Sequence, residues 1–322
     1  MSKSLSETVT KYLTDAHAIE EQALQQLRKA PDIAGEPELA GVLREHLAET
    51  EGHERRVRAL LEARGEEPSS VKDAVMRAGG SGFLLFARVQ PDTPGKLAAH
   101  TLSYEALEWA SYDLLARTAD RAGEPSVAEA AVAIRSEEQA MMERVDGVFD
   151  RTVAASLAET SDKDLKERLL DYLADAHAIE AQAIQLLESG RKMVDLPELE
   201  TVFDHHLQES RRHQELVEER LDALGGSRSL LKDTALKIGA FNWGMFFQAQ
   251  PDTVGKLAAF AYAFEHLEIG GYEQLKRVAE RAGDAETAAV AERILAEERA
   301  AADALTTAFE PAVEATLAKQ TS

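Results

Sequence analysis

The 322-residue sequence predicts an all-α protein built as two tandem four-helix bundles, each with a long crossover between its second and third helices. Three observations lead there: a repeat at constant offset, four long helical segments in each copy, and one connection too long for a hairpin. The segment YLTDAHAIEEQAL (Tyr12 to Leu24) returns as YLADAHAIEAQAI (Tyr172 to Ile184). Likewise HLAETEGH (46–53) returns as HLQESRRH (206–213), and QPDTPGKLAA (90–99) as QPDTVGKLAA (250–259). A shared offset of 160 positions means duplication without net insertion, hence two similar domains rather than a solenoid. The boundary falls near Glu159 to Asp162, which sets the halves at 1–160 and 161–322.

In the first copy, the first helix runs from about Ser6 to Lys29, rich in Ala, Leu, Glu and Gln, and ends before Pro31. The second runs from about Pro37 to Arg64 and is stopped by Gly65; a short loop makes these two antiparallel. The third starts at PDTPGK, with Asp92 as N-cap and Pro94 in the first turn, and stops at Gly123. The fourth begins at Pro125 and runs to about Ala158, antiparallel to the third.

The connection between the second and third helices is roughly 25 residues, long enough to travel the length of a bundle. One long crossover is the ferritin-like arrangement. It carries GGSGFLLFARV (79–89) and IGAFNWGMFFQAQ (238–250). No Lys-Ser or Lys-Thr follows these glycines, so they read as a turn and an apolar plug, not a phosphate cradle. Trp243, Phe246 and Phe247 read as packing or interface residues.

Composition narrows the function. With 44% hydrophobic residues the chain can build real cores, and its 58 acidic against 36 basic residues give a charge of -22, which disfavours nucleic acid and anionic lipid as partners. The absence of cysteine excludes disulfides, thiolate metal sites and iron–sulfur clusters. The start MSKSLSETVT lacks the apolar core of a signal peptide, and no apolar run approaches the ~20 residues of a membrane span. A soluble cytoplasmic protein is the expectation.

Polar residues nevertheless occupy the apolar stripes. On the second helix the stripe reads Leu39, Leu43, His46, Thr50, His53, Val57, Leu60, with Glu49 clustered between the two histidines. The second copy repeats this with His206, Glu209 and His213. Glu20 shares a face with Leu13, Ala16, Leu24 and Leu27, and Glu180 is its counterpart. The third helix offers Glu105 and Glu108, matched by Glu265 and Glu268; the fourth places Glu138 and Glu298 where a leucine belongs. His17 and His177, one turn before Glu20 and Glu180, read as hydrogen-bonding groups behind a site, as His46 and His206 do, or as alternative ligands. Several ionised carboxylates in a low-dielectric interior repel each other and are costly to desolvate unless neutralised. A pair of divalent metal ions resolves that conflict, and a ligand set of carboxylates with little imidazole and no sulfur suits Fe or Mn.

The strings YLxDxHAIExQ in the first helix, HLxETxxHxxR (His46 to Arg56) in the second, ExxExxSY (Glu105 to Tyr112) in the third and EE (Glu137, Glu138) in the fourth resemble the YciE/YciF type of bacterial ferritin-like stress-response domain. The resemblance covers nearly all of both copies. It implies single four-helix domains that dimerise, each with a dinuclear metal site at its bundle centre, so a tandem chain would be a covalent pseudo-dimer, able to form homo-oligomers. Two departures stand out. Dimetal bundles draw Glu-x-x-His from two helices, whereas Glu49 and His53 are four apart and the fourth helix has no histidine. Where the family often has an acid, this chain has Met142 and Ala302, which leaves the second metal position open.

The expectation is a di-iron or di-manganese oxidoreductase acting on peroxide, oxygen or ferrous iron, in stress response. Its ligands are expected to be Glu20, Glu49, His53, Glu105 or Glu108, and Glu138, with equivalents Glu180, Glu209, His213, Glu265 or Glu268, and Glu298. The rival readings are a metal-free protective helical bundle and a DNA-protecting cage, the latter disfavoured by the acidic charge and the lack of a lysine-rich arm.

Overall fold

The computed structural model describes residues 5–67, 93–161, 164–226 and 253–321. Among them every regular element is an α-helix. They are α1 (Leu5–Leu27), α2 (Ala30–Ile33), α3 (Pro37–Glu62), α4 (Thr93–Arg121), α5 (Pro125–Asp146), α6 (Phe149–Ser156), α7 (Leu165–Met193), α8 (Pro197–Ala223), α9 (Thr253–Arg281) and α10 (Ala285–Thr321). The chain divides into two compact units, Met1–Leu157 with Leu317–Ser322, and Ala158–Thr316.

Local chemistry sets the helix ends. Pro37 occupies the first turn of α3, where no intrahelical N–H is needed, and the Glu36 carboxylate accepts from the backbone N–H of Leu39 at 2.6 Å. After α4, Gly123 takes φ 70°, which lets Glu124 N–H turn back to the carbonyl of Ala119 at 2.9 Å. Gly283 repeats this after α9 with φ 73°.

In the first unit, cross-helix contacts fix the directions. Between α1 and α3, Arg64 reaches Thr10 (2.9 Å) while His17 reaches Glu54 (3.0 Å), so the two run antiparallel. His100 meets Gln26 (3.2 Å) and the Tyr104 hydroxyl donates to the Ile19 carbonyl (3.0 Å), which makes α1 and α4 antiparallel. Arg135 on Asp113 sets α5 against α4, and Gly95 bonded to Ser156 continues the pairing into α6. On α3 and α5, Glu49 pairs with Arg144 and Arg56 with Glu137. Thus α3 and α4 run in the same direction, with the end of one and the start of the other at opposite ends of the unit.

The second unit repeats the pattern. Glu188–Arg211 and His177–Glu218 run α7 against α8, Arg220–Asp284 and His213–Glu297 run α8 against α10, and Arg299–Glu273 with Lys276–Glu292 run α10 against α9. Its core has Leu173, Leu199, Phe203, Leu257, Ile294 and Phe309 essentially without exposed surface.

Two sequence expectations change. The fourth helix of the first copy is two helices, broken at Gly147 and Val148, where glycine's low helix propensity and Val148 at φ -107°, ψ 2° end the first segment. The counterpart α10 continues to Thr321 and carries Pro311 inside it. On α3 the stripe closes on Leu61, fully buried, not on Leu60. A seven-residue stepping rule drifts against 3.6 residues per turn, and the three heptads from Leu39 to Leu60 accumulate about 60°, more than half a residue of error. Asp92, the crossover segments and Trp243, Phe246 and Phe247 lie outside the described residues. Within the described residues no helix is long and apolar enough to cross a membrane.

Phe149 opens α6, directly after the break in the fourth helix, and has no exposed surface. Phe149→Ala is expected to cost about 3–5 kcal/mol in urea unfolding; a loss under 1 kcal/mol would show that this junction carries no packing.

Candidate metal centre

Helical spacing brings six polar side chains of the first unit to one place. Glu20 projects from α1 along the stripe of Leu13, Ala16, Leu24 and Leu27. His46 and His53, two turns apart on α3, flank Thr50, whose hydroxyl folds back onto the His46 carbonyl at 2.9 Å and is spent on the backbone. Glu105 and Glu108 descend from α4, and Glu138 enters from α5. All six are buried, Glu20, His46, His53, Glu108 and Glu138 with no exposed surface at all.

Their donor atoms form two groups that share one residue. His46, Glu105, Glu108 and Glu138 offer atoms within 4.8 Å of one another, and so do Glu20, His53 and Glu138. Glu138 has one oxygen in each: Oε2 lies 3.4 Å from His46 Nε2 and Oε1 lies 2.8 Å from His53 Nδ1. Glu105 Oε2 is 2.9 Å from His46 Nε2, and Glu20 Oε1 is 3.7 Å from His53 Nδ1. Although close, these atoms are not aligned as hydrogen bonds. His46 Nε2, His53 Nδ1, Glu105 Oε2, Glu20 Oε2 and both oxygens of Glu108 and of Glu138 are buried without a hydrogen-bond partner. Atoms aimed at a shared point, not at one another, are what a cation site requires.

The second unit builds the same object. His206, Glu265, Glu268 and Glu298 form one group, and Glu180, His213 and Glu298 the other. His206 Nε2 lies 2.8 Å from Glu265 and 3.4 Å from Glu298 Oε2, while His213 Nδ1 lies 2.8 Å from Glu298 Oε1 and 3.5 Å from Glu180.

Behind the histidines stands a layer of carboxylates. The outward nitrogen of His46, Nδ1, bonds Glu49 at 2.9 Å, and that of His53, Nε2, bonds Glu137 at 2.6 Å. Each contact leaves the opposite ring nitrogen pointing into the cluster, which fixes the tautomer a metal ligand needs. Arg144 clamps Glu49 through both oxygens, and Arg56 clamps Glu137 at 2.9 and 3.1 Å. Tyr112, fully buried, donates its hydroxyl to Glu20, as Tyr272 does to Glu180.

Sequence spacing brought Glu20, His53, Glu105, Glu108 and Glu138 into one expected set, and the structure brings them together, Glu105 and Glu108 both included. Glu49 and Glu209 are placed elsewhere than expected. Their carboxylates sit on the far side of His46 and His206, and Glu49 is a third exposed and paired with Arg144. His46 and His206 occupy the interior place instead. A three-residue step on a helix covers about 300°, so both residues share a flank of α3, and only the neighbouring α5 decides which one faces in. His17 and His177 turn to Glu54 (3.0 Å) and Glu218 (2.9 Å), away from the six-residue cluster. With Glu21, His17 and Glu54 make a further group of potential donors, beside which Arg58 pairs with Glu54. The outer carboxylates Glu137 and Glu297 and the tyrosines Tyr112 and Tyr272 were not singled out as site residues, although the EE pair and the SY dipeptide of the first copy carried the signal.

Electrostatics shows what the cluster costs without a cation. Burial, then repulsion from Glu138, Glu20 and Glu105, pushes Glu108 well above the usual carboxylate range, and burial pushes Glu138 the same way. Burial raises Glu20 to about 8 and Glu298 to about 7, despite the histidines beside them. Glu105 is held low by His46 against the effect of its burial. Four carboxylates and two neutral imidazoles per half match the charge of two divalent cations, and their oxygen-rich character suits Fe or Mn. The residues fit the group.

For the metal-free protein the sign of the pH dependence follows. Above about pH 4.5 the unfolded chain releases the Glu20 proton, while the folded chain keeps it up to about pH 8. The unfolded state therefore binds fewer protons in this window and stability falls as pH rises through it. The melting temperature of metal-free protein is expected to drop between about pH 5 and pH 8, and Glu108→Leu, which removes a carboxylate repelled by Glu138, Glu20 and Glu105, to raise it at pH 8. A flat profile, or a destabilised Glu108→Leu variant at pH 8, contradicts this electrostatic picture.

The family model described as "Domain of unknown function (DUF892)" matches the chain twice, at residues 4–158 and 164–318. No solved structure matches it. The chain thus belongs to this YciE/YciF-like, ferritin-like family and carries its domain twice in tandem.

Proposed function

We propose that each half is a ferritin-like four-helix bundle, with residues 68–92 and 227–252 as its long crossovers, that holds a carboxylate-bridged pair of Fe or Mn ions. The observation that carries this is Glu138, whose two buried oxygens face two different imidazoles and satisfy neither as hydrogen-bond acceptors. One position would be held by Glu20 and His53, the other by His46, Glu105 and Glu108, with Glu138 bridging. This assignment supplies the second position that the sequence left open: His46 stands in for a ligand from the fourth helix. The donor set is the four carboxylates and two imidazoles of carboxylate-bridged bundles, with both histidines drawn from one helix.

When bound, such a pair supplies two adjacent one-electron redox changes, the chemistry needed to consume peroxide or to oxidise ferrous iron with oxygen. The protein's own groups do the rest. Glu49 and Glu137 hold the imidazole protons on the outer nitrogens, so the inner ones stay available as ligands. Tyr112 holds a proton against Glu20 Oε1, the one hydroxyl group bonded to a carboxylate of the cluster among the described residues. Close-packed Ala106, Ala110, Ile134 and Met141, all at 1% exposure or less, exclude bulk water from the surroundings. The reading is a peroxide-consuming or ferroxidase oxidoreductase of the stress response, with a metal-free protective bundle as the rival.

Protein expressed with iron or manganese is expected to carry two ions per half, four per chain. Glu138→Ala together with Glu298→Ala should lose more than half of them, while Glu49→Gln should keep both positions and lower affinity about tenfold. Peroxide and ferrous-oxidation assays on the loaded protein separate the two activities. Protein without metal under all these conditions would leave the structural bundle.

A further inference from the structure

The two centres have the same interior but different surroundings. Inside, matching distances agree to 0.2 Å: His46 and His206 lie 2.9 and 2.8 Å from their carboxylates on the third long helix, and 3.4 Å from the bridging one in both halves. Outside, the carboxylates that hold these imidazoles meet different partners. Glu49 takes a two-pronged grip from Arg144, whose side chain is 29% exposed. The position equivalent to Arg144 in the second copy is Ala304. There Glu209 meets the mostly exposed His205 at 3.3 Å and the half-exposed Arg212 at 4.0 Å. The second carboxylate shows the same trend: Arg56 grips Glu137 at 2.9 and 3.1 Å, whereas its counterpart is Leu216, and Glu297 has Arg212 at 3.5 Å and Arg293 at 4.0 Å.

We infer that the halves are unequal metal sites, the second binding divalent cations more tightly, and that Arg144 is a positioning residue that weakens the first by neutralising Glu49. This rests on the metal reading above. An imidazole is a stronger donor when its other nitrogen bonds an anionic carboxylate, because the carboxylate stabilises the positive charge the ring gains on binding a cation. A guanidinium bound bidentately to that carboxylate draws its charge away from the ring. The same guanidinium also repels the incoming cations through a partly buried, poorly screened path. Both effects of Arg144 act in one direction, and the longer imidazole–carboxylate contact of the second half, 3.4 Å from His206 to Glu209 against 2.9 Å from His46 to Glu49, is the feature that opposes them. At Glu209 the guanidinium of Arg212, 4.0 Å away and half exposed, is screened by solvent and does neither well. One chain would then pair a tightly held centre with an exchangeable one.

The test uses full-length chains in which one half is disabled, by Glu180→Ala with Glu298→Ala or by Glu20→Ala with Glu138→Ala. Each is titrated with Mn(II) in competition with a chromophoric chelator, a binding readout independent of activity. The second half is expected to bind about three- to tenfold more tightly, at or below the low end of the effect of groups directly behind a ligand. Arg144→Gln should raise the first half towards the second. Ala304→Arg, on a half-exposed helix position, should lower the second towards the first, and it serves independently if Arg144→Gln fails to fold. Equal affinities, a tighter first half, or both substitutions without effect overturn the inference and leave the metal reading standing. No Mn(II) bound by either half removes the metal reading and this inference together.

Discussion

Mutual repulsion among buried carboxylates is the constraint on which the rest of this molecule depends. In each half four glutamates converge where water cannot reach them, and burial, with repulsion from their neighbours, pushes Glu20 to about 8 and raises Glu108 well above the usual carboxylate range. A fold does not retain four such groups for stability, since apolar residues of equal volume hold a core better. Their cost is offset only by protons or by cations. Protons bind one oxygen at a time and demand aligned acceptors; the unaligned, mutually close oxygens of Glu108 and Glu138 meet the demands of cations instead.

The architecture follows from holding those groups in place. Long helices give rigid frames on which a step of three or seven residues sets the angle and depth of a side chain, as for Glu105 with Glu108 and His46 with His53. Small residues make the room: Ala98, Ala106, Ala110 and Ala131 are buried to within 1% and leave space for long polar side chains. Around this, ion pairs such as Arg56 with Glu137 tie neighbouring helices at the level of the cluster. These pairs lie where they set the charge behind the histidines, so the surface of each half is part of its site. Duplication kept the interior and let that outer layer diverge.

Periodicity made much of the arrangement legible from the sequence. An amphipathic stripe interrupted by a glutamate or histidine reads plainly when the same interruption returns at a fixed offset, as for Glu20 with Glu180 and Glu138 with Glu298. Two kinds of information were not legible. The rank of neighbours on one flank, Glu49 against His46, is decided by Arg144 on another helix, and no single-helix pattern contains it. The bridging orientation of Glu138 depends on two ring nitrogens from α3 meeting one carboxylate from α5, a relation between helices and not within one. The break at Gly147 was hidden for a related reason: helical apolar spacing continues across it through Val145, Val148 and Phe149, and only the backbone turns.

The measurement that bears most directly on the central claim is anomalous diffraction from crystals grown with Mn(II), collected above and below the manganese edge. Two peaks in each half are predicted, one among His46, Glu105 and Glu108 and the other between Glu20 and His53, with Glu138 touching both, and likewise around Glu298. Clusters without anomalous signal, their oxygens paired by protons or waters, would contradict the account.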